Sequence, residues 1–338
     1  MPRFDCEVTL PEPEEERERS PAALRYDPPL VKVRAALGEA WAWPALLDAV
    51  EERLAGTGAH VAAVLRHGGL HLDGRPVDHA TPPSDIASGT RLTVYGLVRE
   101  PEVPPLPSTA FVAEGPGWVA VDKPAWMPMQ RTRASSEGTL EGAVRETLGD
   151  PSLIAVHRLD RTTSGVALFA RGRETASRIQ GALGDRRAEK RYLAVVGPPP
   201  ARDAFEVEGW IGRKAHPRRF AFAMQGGVSE ASLDLARQQG IRPRHSRTRF
   251  TVLARHAGSS LVEARPVTGR THQLRVHLAH VGSPILGDEL YGAPWVPGAP
   301  ERTLLHAARL EVDLGNGQTF VAEAPTPEDL RAASPGAC

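Results

Sequence analysis

The chain has 338 residues, of which 41% are hydrophobic, so it is long enough for two domains that each bury an apolar core. It carries 41 Lys and Arg against 41 Asp and Glu, and this zero net charge does not by itself indicate a nucleic-acid-binding protein. No basic start precedes an apolar run, no apolar run is long enough to span a membrane, and Cys6 and Cys338 make neither a disulfide framework nor a zinc site, so we expect a cytoplasmic protein.

The first hundred residues predict a charged tail followed by a small folded module. The stretch PEPEEERERS is rich in charge and poor in apolar residues, so residues 1–28 are predicted to be a disordered acidic tail. WPALLDAVEERLAG has helical spacing of its apolar residues and ends at a glycine. GGLHLDGRPVD has the Asp-Gly pair of a hairpin, and ASGTRLTVYGL is typical of a turn that leads into a strand. Residues 29–98 are therefore predicted to form an α+β module.

A Pro-rich stretch, EPEVPPLPS, predicts a stiff linker over 99–109, followed by a larger domain over 110–330 and a tail over 331–338. Strands are predicted in WVAVDKP, SGVALFA and KRYLAVVG, and two more in TRFTVLARHAGSSLVEARPVTG, joined at Gly258. Helices are predicted in TLEGAVRETLG, ETASRIQGAL and QLRVHLAHVG. Because these elements alternate without a regular βαβ rhythm, we expect an α+β fold with a mixed, mainly antiparallel sheet and flanking helices.

Charge is distributed unevenly along the chain. Residues 1–109 hold 11 Lys and Arg and 17 Asp and Glu, which leaves 30 and 24 for residues 110–338, or net charges of −6 and +6. The positive excess lies in three basic clusters, DRRAEKR at 185–191, GRKAHPRRF at 212–220 and RPRHSRTR at 242–249. Clusters of this size are typical of phosphate contacts, although a solvated surface is the alternative reading of each. The second half of the chain is therefore predicted to bind a polyanion.

Two polar groups of residues stand against apolar elements. The first is HRLDRTTSGVALFA, in which Asp160 lies between Arg158 and Arg161. The second is TGRTHQLRVHLAH, which offers Arg270, Arg275 and three histidines. An aspartate flanked by two arginines is favoured in its ionised form, so it is a poor general acid. From the residues alone it could be a nucleophile, a weak base, a metal ligand or a structural anion that caps a turn.

Three other kinds of site are disfavoured. His272, His277 and His280 lie close in sequence, but no cysteine or carboxylate joins them and the nearby arginines repel a cation, so we expect no metal site. A serine hydrolase is disfavoured because the chain has no G-x-S-x-G stretch. It also lacks a P-loop and a G-x-G-x-x-G stretch, so we expect no nucleotide cofactor.

The two polar groups resemble the signatures of the RluA-type pseudouridine synthases, in which His-Arg-Leu-Asp is followed after two residues by Thr-Ser-Gly. VAVDKPAWMPMQ, EKRYLAVV, RPVTGRTHQLRVHLAHVGSPILGDELYG, LLHAARLEV and AEAPTPEDL resemble further motifs of that family, in the family's order. The resemblance covers about 111–330. It implies an enzyme that detaches the base of a uridine in ribosomal or transfer RNA and rejoins it through C5, without a cofactor or metal. A non-catalytic RNA-binding protein that retains the fold is the alternative.

The resemblance also implies roles for individual residues. Asp160 is the catalytic aspartate, Tyr192 stacks on the uracil and assists removal of the C5 proton, and Arg275 pairs with the aspartate. The target uridine must leave its stack, and Arg158 fills the vacated place. The other residues that the resemblance places on the substrate are His157, Thr163, Arg270, His272, Gln273 and Lys123. We expect RNA as the partner and a monomeric enzyme.

Some features depart from the family or lie outside its catalytic domain. Asp122 stands where Asn is usual, Trp126 where Gly is usual and Gln130 where His is common, so substrate choice is expected to be unusual. Residues 229–240 predict an inserted helix. The N-terminal module resembles the α-L RNA-binding motif of a ribosomal protein, but its first helix is acidic where a basic one is usual, so packing on the catalytic domain is its alternative role.

Overall fold

The computed structural model describes residues 6–10, 19–78, 80–135, 137–213, 220–224, 229–238, 241–292, 298–315 and 317–334. The chain divides into an N-terminal unit, Met1–Pro104 with Trp126–Ala143, and a second unit, Pro105–Ala125 with Val144–Cys338. We call the second one the catalytic unit because it contains most of the stretch that resembles the synthase family. The chain first passes from the N-terminal unit to the second unit within the Pro-rich stretch, between Pro104 and Pro105. Segment 126–143, which the sequence places in the catalytic domain, groups instead with the N-terminal unit.

The N-terminal unit is built on a five-stranded antiparallel sheet in the order β1-β2-β7-β4-β5, with β3 and β6 paired separately. Its strands are β1 (Cys6–Thr9), β2 (Leu30–Ala36), β3 (Trp41–Ala42), β4 (Leu70–Leu72), β5 (Arg75–Pro76), β6 (Asp85–Ile86) and β7 (Arg91–Leu97). Its helices are α1 (Pro21–Tyr26), α2 (Trp43–Leu54) and α3 (Val61–His67). The predicted helix over 43–56, the Asp-Gly hairpin and the final strand are therefore confirmed.

Alternating side chains explain why this sheet folds against the helices. Val31 and Val33 of β2 and Val94 of β7 are fully buried, and they share a core with Leu46 and Val50 of α2. The two helical residues are four positions apart and so lie on one face. One face of the sheet is thus apolar and covered by helices, whereas the other carries polar side chains.

Two elements differ from the prediction of a disordered tail over 1–28. β1 pairs with β2, and α1 begins at Pro21 after Ser20, whose hydroxyl accepts a hydrogen bond from the Ala23 N–H at 3.1 Å. Serine as the N-cap and proline at the first helical position form a start signal that the charged composition around it obscured. Residues 11–18 of the predicted tail lie outside the described residues.

The catalytic unit is built on one large sheet in the order β14-β13-β15-β16-β12-β17-β11-β9-β8, with β10 on β11 and β18 on β17. β11 and β17 are parallel, and the other pairs are antiparallel. The α+β class with a mixed, mainly antiparallel sheet is confirmed. None of the helices in the described part of the chain is long and apolar enough to cross a membrane.

The strands of this unit follow the chain from residue 111 onward. They are β8 (Phe111–Gly115), β9 (Trp118–Lys123), β10 (Leu153–Ala155), β11 (Ser164–Arg171), β12 (Ala188–Val196), β13 (Ala204–Arg213), β14 (Phe220–Met224), β15 (Arg244–His256), β16 (Ser259–Pro266), β17 (Leu305–Asp313) and β18 (Thr319–Glu323). The remaining helices are α4 (Leu140–Leu148), which crosses the boundary between the units, α5 (Gly172–Gly184), α6 (Glu230–Gln238), α7 (Gln273–His280) and α8 (Glu328–Ala332). The helix predicted within 229–240 is thus present, and residues 239–240 are not described.

β11 is the strand that positions the site. Every residue from Ser164 to Ala170 is buried, as its uninterrupted apolar sequence indicates. Gly165 has φ 105°, and a Cβ there would lie 2.3 Å from the Ala307 carbonyl oxygen. Only glycine lets β11 approach β17 this closely. The polar residues 157–163 therefore lie at the start of a fully buried strand.

Candidate active site

Asp160 lies in the loop between β10 and β11, and main-chain contacts hold that loop in place. The Thr163 N–H donates to the Asp160 carbonyl oxygen at 3.1 Å. Lys123, which is fully buried at the end of β9, donates from Nζ to the Arg161 carbonyl oxygen at 3.0 Å and to that of Pro124 at 2.8 Å. The Asp160 side chain itself remains 28% exposed. The loop thus presents a carboxylate to solvent from an anchored backbone.

Arg275 connects Asp160 to a second, buried carboxylate. From α7, Arg275 Nη1 lies 3.1 Å from Asp160 Oδ2. Its Nε and Nη2 each donate to Asp288 at 2.7 Å, and the Asp288 side chain has no solvent exposure. This is the bidentate geometry in which arginine binds carboxylates most strongly. Burial lowers the pKa of Arg275, but the hydrogen bonds and negative charges of Asp288 and Asp160 together outweigh burial and raise the pKa, so Arg275 stays charged beside Asp160.

Asp288 was not identified from the sequence, although it lies in the GDELYG part of the second motif. It also accepts hydrogen bonds from the main-chain N–H groups of Leu290 at 3.1 Å and Tyr291 at 3.2 Å. The Tyr291 ring lies 5.2 Å from the Arg275 guanidinium, within cation–π range. A single turn after α7 therefore holds the Arg275 guanidinium in two ways, by the carboxylate of Asp288 and by the ring of Tyr291.

Tyr192 and His272 complete the surroundings of Asp160. Tyr192 lies on β12 where the register against β17 shifts, and it packs half-buried on the core. Burial, and then the negative charge of Asp160, raise the pKa of the Tyr192 phenol, so it is protonated at neutral pH. His272 Nε2 lies 3.9 Å from Asp160 Oδ1, and its Nδ1 lies 2.8 Å from the Tyr291 hydroxyl. Burial lowers the pKa of His272, so the neutral ring does not compete with Arg275 for Asp160.

Three other predicted substrate-binding residues, Lys123, His157 and Gln273, form hydrogen bonds within the protein, and a fourth, Thr163, is buried. Lys123 supports the Asp160 loop, as described above. His157 Nε2 accepts the Leu168 N–H at 3.1 Å, and burial lowers the pKa of His157 to about 3, so its ring is neutral. Gln273 is 4% exposed and uses its amide in hydrogen bonds to Thr268, Arg270, Arg247 and Thr248. Thr163 is 2% exposed, and its hydroxyl has no hydrogen-bond partner among the described residues. These positions favour a supporting role where a substrate contact was predicted.

Arg158 and Arg270 are placed differently. Arg158 is exposed and forms no ion pair with a described residue. Arg270 donates from Nε to the His245 carbonyl oxygen at 2.8 Å. Burial lowers the pKa of Arg270, and the charges of Arg244 and Arg186 lower it further. Arg186, Arg244 and Arg270 thus come from three stretches of sequence, two of them predicted basic clusters, and meet in one region of positive charge.

Other arginines of the predicted basic clusters are paired within the protein. Arg187 lies 3.3 Å from Asp185, and Arg191 lies 3.6 Å from Glu263. Arg247 and Arg249 both reach Glu206, at 2.9 Å and 3.1 Å. The cluster at 212–220 lies largely outside the described residues, since 214–219 are among those left undescribed. Counting Lys and Arg in the sequence therefore overestimates the positive charge of these clusters, because carboxylates of the same protein already pair with several of the arginines.

A cavity of about 520 Å³ lies beside Lys123, with Asp122, Ser164, Arg302 and Asp329 among its lining residues. Arg302 is 7% exposed and binds Asp329 through two hydrogen bonds of 2.5 Å and 2.8 Å. Burial raises the pKa of Asp122 to about 6, even though the Lys123 charge lowers it. Burial likewise lowers the pKa of Lys123 to about 7. The unusual Asp122 is therefore a carboxylate in an environment that disfavours its charge.

The histidines considered as metal ligands in the sequence have different surroundings in the structure. His277 is fully buried, and its Nε2 lies 2.9 Å from the Ser246 hydroxyl, whereas His272 faces Asp160. Within the residues that the structure describes, no group of three or more His, Cys, Asp or Glu side chains could hold a metal ion.

Comparison with known proteins identifies the family. A family model described as RNA pseudouridylate synthase matches residues 117–280. The ribosomal large subunit pseudouridine synthase D of Xanthomonas campestris is 32% identical over 238 residues, which cover 63% of this chain and 64% of that protein. An uncharacterized RNA pseudouridine synthase of Chloroflexus aurantiacus is 31% identical over 293 residues, or 81% of this chain and 83% of the relative. The chain thus spans less than two thirds of the Xanthomonas protein and most of the Chloroflexus one.

A solved structure agrees with this likeness. The human RNA pseudouridylate synthase domain containing 1 superposes with a TM-score of 0.53 at 26% identity, over 66% of this chain and 86% of that one. The matched family region contains Asp160, Tyr192 and Arg275, the three residues that meet at the loop before β11. On sequence, fold and the arrangement of these residues, the chain belongs to the RNA pseudouridine synthases, as its RluA-type signatures implied.

Proposed function

We propose that the protein isomerises specific uridines of structured ribosomal or transfer RNA to pseudouridine, with Asp160 as the catalytic aspartate and without a cofactor. The observation that carries this proposal is the chain of contacts from Asp160 through Arg275 to Asp288. It holds one partly exposed carboxylate at a defined place beside a guanidinium. As a carboxylate, Asp160 can act as a nucleophile or a base toward a ribose.

The reaction leaves the atom count of the RNA unchanged. The bond between N1 of the uracil and C1′ of the ribose breaks, the base turns, and a bond forms between C5 and C1′. The proton on C5 is then lost, and N1 gains one. Asp160 can begin this sequence by attacking C1′ or by removing the C2′ proton to give a glycal, and both routes use the carboxylate that Arg275 holds in position.

Tyr192 contributes in a way that depends on the charge of Asp160. A protonated phenol next to a carboxylate can stack on the uracil but is a poor acceptor for the C5 proton. If Asp160 forms an ester with C1′, its negative charge disappears, and one of the two causes of the raised Tyr192 pKa is removed. On that route the phenol becomes a better participant in proton removal once the base has been detached.

RNA binding is supported by the exposed cations of the catalytic unit. Because a stacked uridine cannot reach Asp160, it must flip out of its stack, and the exposed Arg158 is suited to fill the gap. Arg186, Arg244 and Arg270 repel one another in the free protein, and phosphate groups would relieve that repulsion. We also propose that the enzyme is a cytoplasmic monomer that needs no metal. Light scattering tests the monomer, and activity after exhaustive EDTA treatment tests the metal.

The test of the reaction is the variant Asp160→Asn, which keeps the side-chain shape and removes the charge. Pseudouridine formed in bulk RNA, measured by mass spectrometry, should fall to background, while thermal unfolding shows a folded protein. Asp150→Asn is the matched control, since Asp150 pairs with Arg171 at 3.2 Å on another part of the same unit and should leave turnover intact. A substantial rate in Asp160→Asn would favour the alternative, an RNA-binding protein that retains the fold.

A further inference from the structure

The outer face of the five-stranded sheet in the N-terminal unit carries a group of basic residues. Val31, Val33 and Val94 point into the core, so the residues between them point outward. Lys32 of β2 lies directly opposite Tyr95 of β7, and Arg34 follows two positions along the same face. This face is not the one that the helices cover.

Ring and hydrogen-bond contacts fix the positions of these side chains. The Lys32 ammonium lies 5.3 Å from the centre of the Tyr95 ring, and the His71 ring meets Tyr95 edge-on at 5.3 Å. The His71 Nε2 lies 3.1 Å from the Arg133 carbonyl oxygen, which holds segment 126–143 at this face. Burial lowers the pKa of Lys32, and the charges of Arg34 and Arg133 lower it further against the opposing effect of Tyr95. Lys32, Arg34, Tyr95 and Arg133 form what we call the sheet-face cluster.

The cations of the sheet-face cluster lack the acidic partners that other arginines of this unit have. Arg25 pairs with Glu102, Arg66 with Glu100, and Arg91 with Asp73. In contrast, Lys32, Arg34 and Arg133 form no ion pair with any described residue. Glu7 of β1, which pairs directly opposite Arg34 of β2, is the carboxylate that faces these cations. Three cations against one anion leave a local positive charge in a unit that is acidic as a whole.

We propose that the sheet-face cluster, on the N-terminal unit, binds the phosphate backbone of RNA. The inference rests on the proposed function, which makes RNA the polyanion that this protein meets. Lys32 and Arg34 are spaced about 7 Å apart along an extended strand, a spacing suited to neighbouring phosphates of an extended RNA segment. The ring of Tyr95 keeps the Lys32 ammonium in position, which lowers the conformational cost of binding.

The experiment compares the full-length protein with Lys32→Gln/Arg34→Gln, using a fluorescent oligouridylate as the probe over a series of salt concentrations. Affinity at low salt should fall roughly tenfold, and the slope of log affinity against log salt should fall by about 1 to 1.5, since two phosphate contacts are lost. Arg75→Gln/Arg99→Gln removes the same charge from other exposed positions of this unit and should change neither value appreciably. Lys32→Arg/Arg34→Lys preserves the charge and should bind as the wild type does.

Unchanged binding of the Gln double variant, or an equal loss in the Arg75/Arg99 control, would overturn the inference. So would a finding that the cluster binds oligoglutamate but not oligouridylate, which would indicate an acidic protein partner. Pseudouridine formation on a short stem-loop, measured for wild type and Asp160→Asn, tests the proposed function separately. If wild type forms no pseudouridine, the proposed function fails and the oligouridylate result still decides whether the cluster binds RNA.

Discussion

The two units of the protein differ in where they keep their charges. Several charged residues of the catalytic unit are buried and hydrogen-bonded to charged or main-chain groups, among them Lys123, Arg275, Asp288 and Arg302. In the described residues of the N-terminal unit no Lys, Arg, Asp or Glu is buried, and the core is apolar. Burying an ion is costly unless its partners are well placed. The catalytic unit therefore bears a cost in stability that the apolar core of the N-terminal unit avoids, and part of that cost, at Lys123 and Arg275, positions Asp160.

This difference predicts two kinds of response to substitution. Removal of one partner of a buried ion leaves the other uncompensated, so the catalytic unit should lose stability and activity together. Removal of the charges of the sheet-face cluster in the N-terminal unit should change RNA binding and its salt dependence while leaving the fold intact. The following experiments compare stability and activity in the two units, beginning with the largest expected effect.

Loss of Asp288 should have the largest effect. In Asp288→Ala, the Arg275 guanidinium remains buried without its bidentate partner, so the free energy of unfolding should fall by about 3–5 kcal/mol. Asp288→Asn keeps the shape, and by releasing Arg275 from its position beside Asp160 it should lower kcat roughly a hundredfold with a smaller change in KM. Urea unfolding and stem-loop kinetics measure the two effects.

The pair of Arg302 and Asp329 supplies the matched control for Asp288. It is also a bidentate ion pair of the catalytic unit, but neither residue contacts the Asp160 side chain. Asp329→Asn should therefore lower the stability with a much smaller loss in kcat. If both variants lower kcat equally, Asp288 acts through general stability of the unit and not through the position of Arg275.

Alanine substitutions of one glycine in each unit compare how closely neighbouring strands pack in the two sheets. Gly165→Ala should cost about 2–5 kcal/mol, because its Cβ would lie 2.3 Å from the Ala307 carbonyl oxygen and φ is 105°. Gly74→Ala in the hairpin of the N-terminal unit also has a positive φ, 79°, but no atom lies within 4 Å of the added carbon. It should cost only about 1–2 kcal/mol. Equal losses in urea unfolding would show that β11 and β17 can move apart.

Much of this arrangement could be predicted from the sequence because it depends on local patterns. The apolar run of β11 and the helical spacing of α7 placed Asp160 and Arg275 at the ends of the right elements. The contacts of Asp288 could not be predicted, since it lies in a turn, where no periodicity indicates which way a side chain points. The grouping of segment 126–143 with the N-terminal unit depends on contacts between residues far apart in the chain, such as the one between His71 and Arg133.

The backbone at Trp126 explains why the RluA-type pattern has glycine at this position. Trp126 has φ 70°, in the left-handed region that favours glycine, and glycine is the residue that the RluA-type pattern has there. A sequence comparison shows that the residue is unusual, but only the backbone shows what it costs. For a bulky side chain that cost is of the order of 1–2 kcal/mol.

Acid should destabilise the catalytic unit through its buried histidines. Burial lowers the pKa of His157 and His277 to about 3 and that of His306 to about 4. Above pH 6.5 these rings are neutral in both states, so their contribution to stability is complete. As the pH falls below 6.5 the unfolded chain takes up protons that the folded one does not, and each ring costs at most about 1.4 kcal/mol per pH unit. Unfolding at pH 7 to 4 measures this loss, and His277→Gln should reduce its slope.

The smallest expected effect has the opposite sign and concerns Asp122. Burial raises its pKa to about 6, above the value of about 3.9 in an unfolded chain. Its contribution to stability is therefore complete below pH 3.9 and is lost as the pH rises through 6, because the folded state must then hold a buried charge. Asp122→Asn has no such charge, so its melting temperature relative to wild type should rise between pH 4 and pH 7. The histidines affect both proteins equally and cancel in this difference. Asp48→Asn, on the exposed side of α2 in the N-terminal unit, is the control and should show a constant difference. If the Asp122→Asn difference is also constant across this range, burial at the cavity beside Lys123 is not what sets the charge of Asp122.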